Sequence, residues 1–506
     1  MSTGTSASGQ RSETVARGLV MALATQITTA TFTAGLTLYL VRALGPAEYG
    51  LFALAVGMGG LLLLPADFGI AQSAARFIAE TFGDEKAAGR ILAGALRLKC
   101  MTTGSVSLLL LVLAGPIASA YGEPGLAWPL RAVGLALFGQ SLMSLYSTAF
   151  LAFRRVSVNF RIVAFESVAE LAASVALVTL GGGAVGAAFG RAAGYTFGAA
   201  VAMGFAISRL SRGVLRIRSG VPVRQIARYG GALLIVDGVY SLFSHIDILL
   251  IGAILGSSSV GFFSAPLKLT ALLHYPGLAV SNTISPRLAR HADLSADVPA
   301  FVGALRCLLI LQAAIAAGIL VWAGPITRLL LGADYGASEG VLRALTPYIF
   351  LQGLGPLLSV SVNYIGQARR RVPIAVTAVL VNLLIDVILI PRIGVVGGAI
   401  GTSAAYALYV PAHFRICRSM LGLEVAPLAR TMGRSLLAAA AMAGVMAAFG
   451  TSDLGWIEWI GGLVGGAAAF AAVLLVSREV SRSELRAVRT FVATTLANRS
   501  REGAQP

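Results

Sequence analysis

Charge is scarce in this chain: Asp, Glu, Lys and Arg make up 12% of its 506 residues, about half of the ~25% found in ordinary soluble domains. No polar linker divides it, although a soluble chain of this length would split into several domains. That scarcity excludes a disordered protein and an ordinary soluble enzyme. Cysteine is rare too, with only Cys100, Cys307 and Cys417. Their number is odd and they form no CxxC pair or Cys/His cluster, so neither a disulfide-stapled module nor a zinc site is supported. No P-loop occurs, so ATP is not used directly, and no soluble catalytic motif stands out. GxGxxG-like strings fall inside apolar stretches and read as packing glycines. Residues 1–12 are rich in Ser, Thr and Gly without an apolar centre. The first apolar run is too long for a secretory signal peptide and reads as a span.

What the chain has is apolar length. Hydrophobic residues make up 57% of it and the mean hydropathy is +0.82. Runs near twenty residues recur from end to end, the length of a helix across a bilayer. The reading is an all-α integral membrane protein. Hydropathy predicts fourteen spans, near 15–41, 50–74, 93–114, 128–152, 162–180, 184–208, 229–253, 260–285, 301–323, 340–364, 372–391, 395–416, 434–450 and 457–476.

The net charge of +17 would suggest nucleic acid in a soluble chain. Its placement says otherwise. Alternate span ends collect Arg11, Arg17, the bases between 76 and 99, Arg154, Arg155, Arg161, six arginines from Arg209 to Arg228, Arg287, Arg290, Arg306 and Arg369-Arg370-Arg371. Arg415, Arg418, Arg430, Arg434 and the basic tail complete this side. The opposite ends hold only Arg42, Arg131, Arg328, Arg343 and Arg392. Short loops so biased face the cytoplasm, which puts both termini there, and the bases meet anionic lipid of the inner leaflet. No nucleic-acid partner is expected.

An offset of 211 residues overlays the sequence on itself. GAVGAAFGRAAGY (183–195) meets GVVGGAIGTSAAY (394–406) with seven identities in thirteen. ALGPAEYGLF (43–52) meets ILGSSSVGFF (254–263), pairing Gly45 with Gly256 and Gly50 with Gly261. Arg17 pairs with Arg228, Pro65 with Pro276, Arg76 with Arg287. A duplication of six spans keeps both copies in one orientation, with a cavity between them. The predicted organisation is a cytoplasmic N-terminal tail (1–14), an N-lobe of helices 1–6 (15–208), a basic linker (209–228) and a C-lobe of helices 7–12 (229–416). Helices 13 and 14 with their connection (417–476) and a basic cytoplasmic tail (477–506) follow. Pro65, Pro266, Pro276, Pro347 and Pro356 are expected to bend spans.

An ionisable residue at mid-span costs about 2.5–3.5 kcal/mol on the insertion scale and is a functional candidate. Eight qualify: Asp67, Glu166, Glu170, Arg191, Asp237, Asp247, Lys268 and Asp386. Under the offset they meet Leu278, Thr377, Val381, Thr402, Gln26, Leu36, Gly57 and Val175. The scaffold repeats and the interior charges do not. Glu166 and Glu170, four apart, share one helix face with Ser174. So close a pair repels when ionised, which suits a proton or sodium ion. Asp237, Tyr240, Ser241 and Ser244 form a second polar stripe with His245 beside it. Arg191 and Lys268 are the cations placed to meet a pyrophosphate head group, or else to pair with neighbouring carboxylates. Thr25, Gln26, Thr28, Thr29 and Thr33 suit sugar hydroxyls, though threonines also bond their own helix backbone.

Three segments carry a family resemblance. They are LLLLPADFGIAQSAARFIAE (61–80), DILLIGAILGSSSVGFFSAPLKL (247–269) and NYIGQARRRVPIAVTAVLVNLLIDVILIPRIGVVGGAIGTSAAY (363–406). The pattern includes Asp67-x-Gly69, Arg76, Gly366, Asn382, Pro391, Gly394, Gly397 and Ala399. The chain resembles the polysaccharide/O-antigen flippases of the multidrug/oligosaccharidyl-lipid/polysaccharide exporter superfamily. The resemblance implies a MATE-like fold of two six-helix lobes plus two C-terminal helices. It also implies translocation of undecaprenyl-pyrophosphate-linked oligosaccharide from the inner to the outer leaflet. Related flippases have a cationic cavity, whereas the span interiors here are net acidic. Cytoplasmic-end arginines Arg17, Arg76, Arg228 and Arg306 therefore join Arg191 and Lys268 as substrate contacts, although the positive-inside bias explains them equally well.

The expected function is a non-enzymatic flippase of a bacterial inner membrane, working by alternating access in exopolysaccharide, capsule or O-antigen assembly. Glu166, Glu170, Asp237, Asp67, Asp247 and Asp386 are the expected ion-coupling groups. The coupling ion is Na+ or H+, with no resident cofactor or metal. Partners are the lipid-linked oligosaccharide, membrane lipids and, in such a pathway, a polysaccharide polymerase and glycosyltransferases. The rivals are a cation-coupled multidrug antiporter of the same fold, lipid II translocation, and a membrane polymerase or ligase. The last lacks the sizeable outer loop such enzymes need.

Overall fold

The computed structural model describes residues 5–81, 84–209, 223–289 and 294–480, with the side chains of most of them. The described residues are helical throughout, with short turns between, and contain no strand. In hydrocarbon a backbone must satisfy its own hydrogen bonds, and a helix does so within one segment. The helices are α1 (Thr5–Asp67), α2 (Ile70–Glu80), α3 (Glu85–Ala120), α4 (Ala127–Ala152), α5 (Val156–Leu177), α6 (Gly183–Arg209), α7 (Val223–Leu255), α8 (Ser257–Thr270) and α9 (Tyr275–Ile284). There follow α10 (Leu294–Leu330), α11 (Ser338–Ala344), α12 (Thr346–Gln352), α13 (Gly355–Tyr364), α14 (Arg371–Ile393), α15 (Val395–Leu421), α16 (Val425–Ala448) and α17 (Trp456–Val476).

Nine stretches among the described residues are long and apolar enough to cross a membrane, and α11 with α12–α13, bent by 47°, adds a tenth. Two of the nine are double. Ala24–Asp67 has 44 residues, about 66 Å of helix against ~30 Å of hydrocarbon. It turns at Gly45 (φ 68°, ψ 176°). Val156–Ser208, with 53 residues, turns at Gly181 (φ 87°) and Gly183 (φ 52°). With α7 and the α8–α9 pair the crossings come to about fourteen. Their surfaces confirm the solvent: Leu180, Ile457, Ile460, Leu463 and Val464 are more than half exposed, which in a helix this apolar means contact with lipid. The protein is a multi-pass membrane protein.

The duplication is written in the backbone. Gly256 (φ 83°, ψ 177°) repeats the conformation of Gly45, 211 residues earlier, and Gly394 (φ 68°) repeats the positive φ of Gly183. The two copies also touch reciprocally. A Cβ on Gly50 would strike the backbone of Ser257, and one on Gly261 would strike the backbone of Pro46. Under the offset Gly50 corresponds to Gly261 and Pro46 to Ser257, so the contact is one interaction made twice, as an approximate two-fold requires.

The prolines mark breaks as well as bends, and Pro347 stands just past the 47° bend between α11 and α12. Of the five expected to bend spans, Pro65 and Pro266 lie inside helices. Pro276, Pro347 and Pro356 occupy the first turns of α9, α12 and α13, where the missing N–H has no intrahelical acceptor anyway. The span predicted over 50–74 is also interrupted: α1 stops at Asp67, Phe68 (φ 47°) and Gly69 (φ 60°) are left-handed, and α2 restarts at Ile70.

The chain packs as two compact units, neither of them continuous. One comprises Met1–Leu272, Leu330–Val341 and Ala375–Ala405. Its core includes Ile70, Ile78, Leu145, Phe150, Ile162 and Ile226. The other comprises Leu273–Leu329, Leu342–Ile374 and Tyr406–Pro506. In it Leu305, Leu357, Leu358 and Cys417 form one core, and Trp322, Met442, Met446 and Phe470 another. Trp322 donates its indole N–H to Gly450 O at 3.1 Å and meets the Trp459 ring edge-on, centroids 4.8 Å apart. Gly462 and Gly466 admit Trp322 and Met446 against α17.

Gly50→Ala and Gly261→Ala should each destabilise the protein by about 1–3 kcal/mol, as overpacking does. Gly35→Ala, whose Cβ would meet nothing within 4 Å, should not. Thermal unfolding in detergent checks this, and equal midpoints for all three variants would remove the reciprocal contact.

Candidate functional site

The break after Asp67 builds the first polar cluster. The last carbonyls of a helix lack intrahelical donors, and Ala66 O accepts from Thr102 Oγ1 (2.8 Å) and Thr103 Oγ1 (3.0 Å) of α3. One turn earlier on α3, Lys99 forms an ion pair with Asp67. It also donates to Ser141 O (2.8 Å) and Ser141 Oγ (2.9 Å) on α4. Lys99 is completely buried. Sequence reading missed it by grouping it with the cytoplasmic bases 76–99. Its spacing from Thr103, one helical turn inside an apolar run, was the available signal.

Glu166, Glu170 and Arg191 come together, as do α5 and α6 around them. Gly186, Gly190, Gly194 and Gly198 recur every four residues and lack the Cβ that would strike Leu177, Ser174, Glu170 and Glu166, respectively. Such a small-residue stripe lets membrane helices approach to backbone contact. Arg191 Nη1 donates to Glu170 Oε1 at 2.8 Å and Nη2 to Tyr195 Oη at 3.0 Å. Ser167 Oγ donates to Glu166 Oε2 at 3.2 Å, and Glu166 faces Glu170. The guanidinium thus pairs with Glu170, and Glu166 beside it is met by the Ser167 hydroxyl.

Asp247 and Asp386 also come together, although 139 positions separate them. Asp386 and Asn382 lie one turn apart on α14, and Asn382 Nδ2 donates to Asp386 Oδ2 at 3.1 Å. Gly401 of α15 leaves room for the Asp386 carboxylate. The next residue, Thr402, donates its hydroxyl to Asp247 Oδ2. Asp247 and Asp386 face each other. Asp247, Asn382, Asp386 and Thr402 are all at most 5% exposed. Three of their oxygens, Oδ1 of Asp247, Asn382 and Asp386, have no hydrogen-bond donor. Two buried carboxyl groups with no base beside them among the described residues cannot both stay ionised. The chemistry of such a set suits a proton shared between the carboxyl groups or a hard cation on all-oxygen ligands.

Lys268 is exposed while its helix neighbours Ser264, Ala265, Pro266 and Thr270 are buried, and among the described residues it makes no ion pair. It lies within electrostatic reach of Arg191 and of His245. His245 Nδ1 meets Ser241 O at 2.8 Å, and its ring packs where Gly60 has no Cβ. Arg76 pairs with Glu80 at 2.9 Å on an exposed helix face. Arg306 pairs with Glu479 at 2.7 Å. The side chains of Arg17, Arg228, Asp237 and Tyr240 lie outside the described residues.

Glu479 was read only as part of the tail. It follows α17 through Arg478, whose left-handed φ of 54° turns the chain. Burial would raise its carboxyl, but donors from Thr431 (2.6 Å), Arg434 (2.8 Å) and Arg306 outweigh burial and hold it below the usual carboxylate range.

Comparison with known proteins agrees with this architecture. The model of the family described as "Polysaccharide biosynthesis protein" matches residues 15–292, more than half of the chain. The Haloferax volcanii protein described as "Probable low-salt glycan biosynthesis flippase Agl15" is 23% identical over 420 residues, covering 82% of this chain and 86% of that one. Among solved structures, the lipid II flippase MurJ in an inward closed conformation superposes with a TM-score of 0.73 at 15% identity, over 90% of this chain and 99% of that one. An inward-facing multidrug resistance MATE family transporter gives 0.65 at 16% identity, over 78% and 94%. The fold is that of these transporters.

Removing one member of a buried ion pair costs about 3–5 kcal/mol. Lys99→Met should therefore destabilise strongly, and adding Asp67→Asn should recover much of the loss; a thermal double-mutant cycle showing no recovery would refute the pairing. For Glu479 the depressed native pKa fixes the sign. Its stabilisation is complete above the ordinary glutamate value of about 4.3 and drains away as pH falls through the lower native value. Acid-induced loss of thermal stability should be shallower in Glu479→Gln than in the natural protein.

Proposed function

Since the chain belongs to the polysaccharide biosynthesis protein family, we propose that it is a flippase for an undecaprenyl-pyrophosphate-linked oligosaccharide. It moves this lipid from the inner to the outer leaflet of a bacterial inner membrane by alternating access, for exopolysaccharide, capsule or O-antigen assembly. Both termini are cytoplasmic in this reading, supported by the arginines at alternate span ends. Glycosyltransferases act before it and a polysaccharide polymerase after it. The flippase named among its relatives supports the cargo class.

One observation carries the transport mechanism: the buried Asp247–Asp386 pair has no base beside it among the described residues, and three oxygens there lack donors. Such a site changes charge by exchanging a proton or sodium ion with water, and that exchange couples a gradient to the conformational cycle. Lys268, an ammonium with no ion pair among the described residues, meets the anionic head group as a point charge. The glycan crosses through water-accessible space while the polyprenyl tail stays in lipid.

The multidrug antiporter reading keeps one specific support, the acidic interior, together with the shared MATE fold. Proteoliposomes separate the two. A fluorescent undecaprenyl-pyrophosphate disaccharide should be flipped faster under an inward sodium or proton gradient, whereas a cationic dye should not be exchanged. Asp386→Asn should abolish the gradient response, and Lys268→Met should slow flipping by about 10–100-fold, the worth of a lost charge-assisted contact, with Lys268→Arg retaining activity. Dye exchange without lipid flipping would overturn the proposal.

A further inference from the structure

Two cations from different copies of the repeat come within electrostatic reach of each other, Arg191 on α6 and Lys268 on α8. Like charges at membrane depth repel unless an anion meets them. Glu170 meets one of the two: its Oε1 accepts from Arg191 Nη1 at 2.8 Å. Lys268 is exposed and makes no ion pair among the described residues.

The Arg191–Glu170 pair is not sealed. The Arg191 side chain is 27% exposed and that of Glu170 12%, so the guanidinium is the more open partner. Lys99, in the other internal pair, is completely buried and takes two further acceptors from Ser141. The second arm of Arg191 rests on a neutral phenol instead. Nη2 donates to Tyr195 Oη at 3.0 Å, with the Tyr195 ring 4.9 Å from the guanidinium. Tyr195 Oη accepts that bond and keeps its own O–H to give, and Glu170 lies within its electrostatic reach. A guanidinium fork fits a carboxylate and a phosphate alike. A pyrophosphate diester carries two negative charges and suits Arg191 and Lys268 together, whereas Glu170 has one charge and engages Arg191 alone. Glu170 and an arriving head group therefore compete for the same guanidinium.

We propose that Glu170 is a built-in stand-in for the substrate's pyrophosphate: it holds Arg191 while the site is empty, gives way when the head group binds and reclaims the guanidinium when the head group leaves. The proposal rests on the reading of Arg191 and Lys268 as head-group contacts. No covalent bond changes and no proton moves. As Arg191 turns to the phosphates, the Tyr195 hydroxyl donates to the freed carboxylate, so that charge is not left bare. Lys268 has no such competitor and stays available for first capture. Transport favours this arrangement, because a site on a translocation path must bind strongly enough to load and weakly enough to unload. Glu170 lowers the affinity for the head group and supplies the replacement contact that lets it go. Glu166, one turn away, is bonded to Ser167 and does not compete.

Titration of the full-length protein in lipid nanodiscs with the fluorescent undecaprenyl-pyrophosphate disaccharide, and flipping by the same variants in proteoliposomes, test this. Glu170→Gln keeps an oxygen for Arg191 but loses the charge. It should bind the lipid about 10–100-fold more tightly, the worth of a charge-assisted bond no longer in competition, while its maximal flipping rate falls. Glu166→Gln removes an equal charge without freeing Arg191 and should gain far less. Arg191→Met should bind weakly, and adding Glu170→Gln to it should restore nothing. Unchanged or weaker binding by a Glu170→Gln protein of native size-exclusion profile, or an equal gain in Glu166→Gln, would overturn the stand-in and leave the head-group contacts in place. Binding by Arg191→Met as tight as that of the natural protein would remove the head-group contact at Arg191 and the stand-in with it. If Glu170→Gln does not fold, Glu170→Asp decides: one methylene shorter, it should loosen the pair and shift affinity and rate in the same directions.

Discussion

A charge held in hydrocarbon must meet an opposite charge, a proton or several donors, because water is not there to solvate it. The described interior meets that demand in three ways. Lys99 and Asp67 neutralise each other permanently, with Ser141 and Thr103 taking up the remaining hydrogen bonds. Arg191 neutralises one of two glutamates. Asp247 and Asp386 have hydroxyl and amide neighbours but no base among the described residues. Glu479, at the end of the last span, takes a fourth form, one carboxylate shared by Arg306, Arg434 and Thr431.

Helix approach makes these solutions possible. Arg191 reaches Glu170 because glycine lines its own helix, α6, where that helix meets the backbone of α5, and Gly401 of α15 leaves the space that the Asp386 carboxylate fills. A methyl group at Gly190 or Gly401 would occupy the space of Ser174 or of the Asp386 carboxylate. Packing and electrostatics are here the same constraint: the stripe that closes the helices also sets how a carboxylate is met.

This explains which parts were legible in the sequence. Span length and apolarity are local properties, so the all-helical membrane fold was readable, and the 211-residue offset exposed the duplication before any backbone angle did. Glu166 with Glu170 was readable because a helical period of 3.6 brings positions four apart together. Asp247 with Asp386 was not, because only tertiary packing joins residues on α7 and α14. Lys99 was hidden by charge counting: lying near a span's start, it looked like one more cytoplasmic base. Pro276, Pro347 and Pro356 begin helices, Pro347 just past a 47° bend. A proline in an apolar run signals a disturbed helix without telling whether the helix bends there or begins there.

The asymmetry of the copies carries the last step. A pair whose two charges are both covalently attached has the same net charge in every conformation, so it stabilises the scaffold without responding to a gradient. Only a site short of one tethered charge can differ in occupancy between two states, and occupancy that differs is what lets a ligand shift a conformational equilibrium. Among the described residues, Lys99 with Asp67 and Arg191 with Glu170 are pairs of the first kind, whereas Asp247 with Asp386 has no base beside it. Because these charges are not repeated between the copies, the duplicated frame holds its fixed pairs and its uncompensated carboxyl groups in different places.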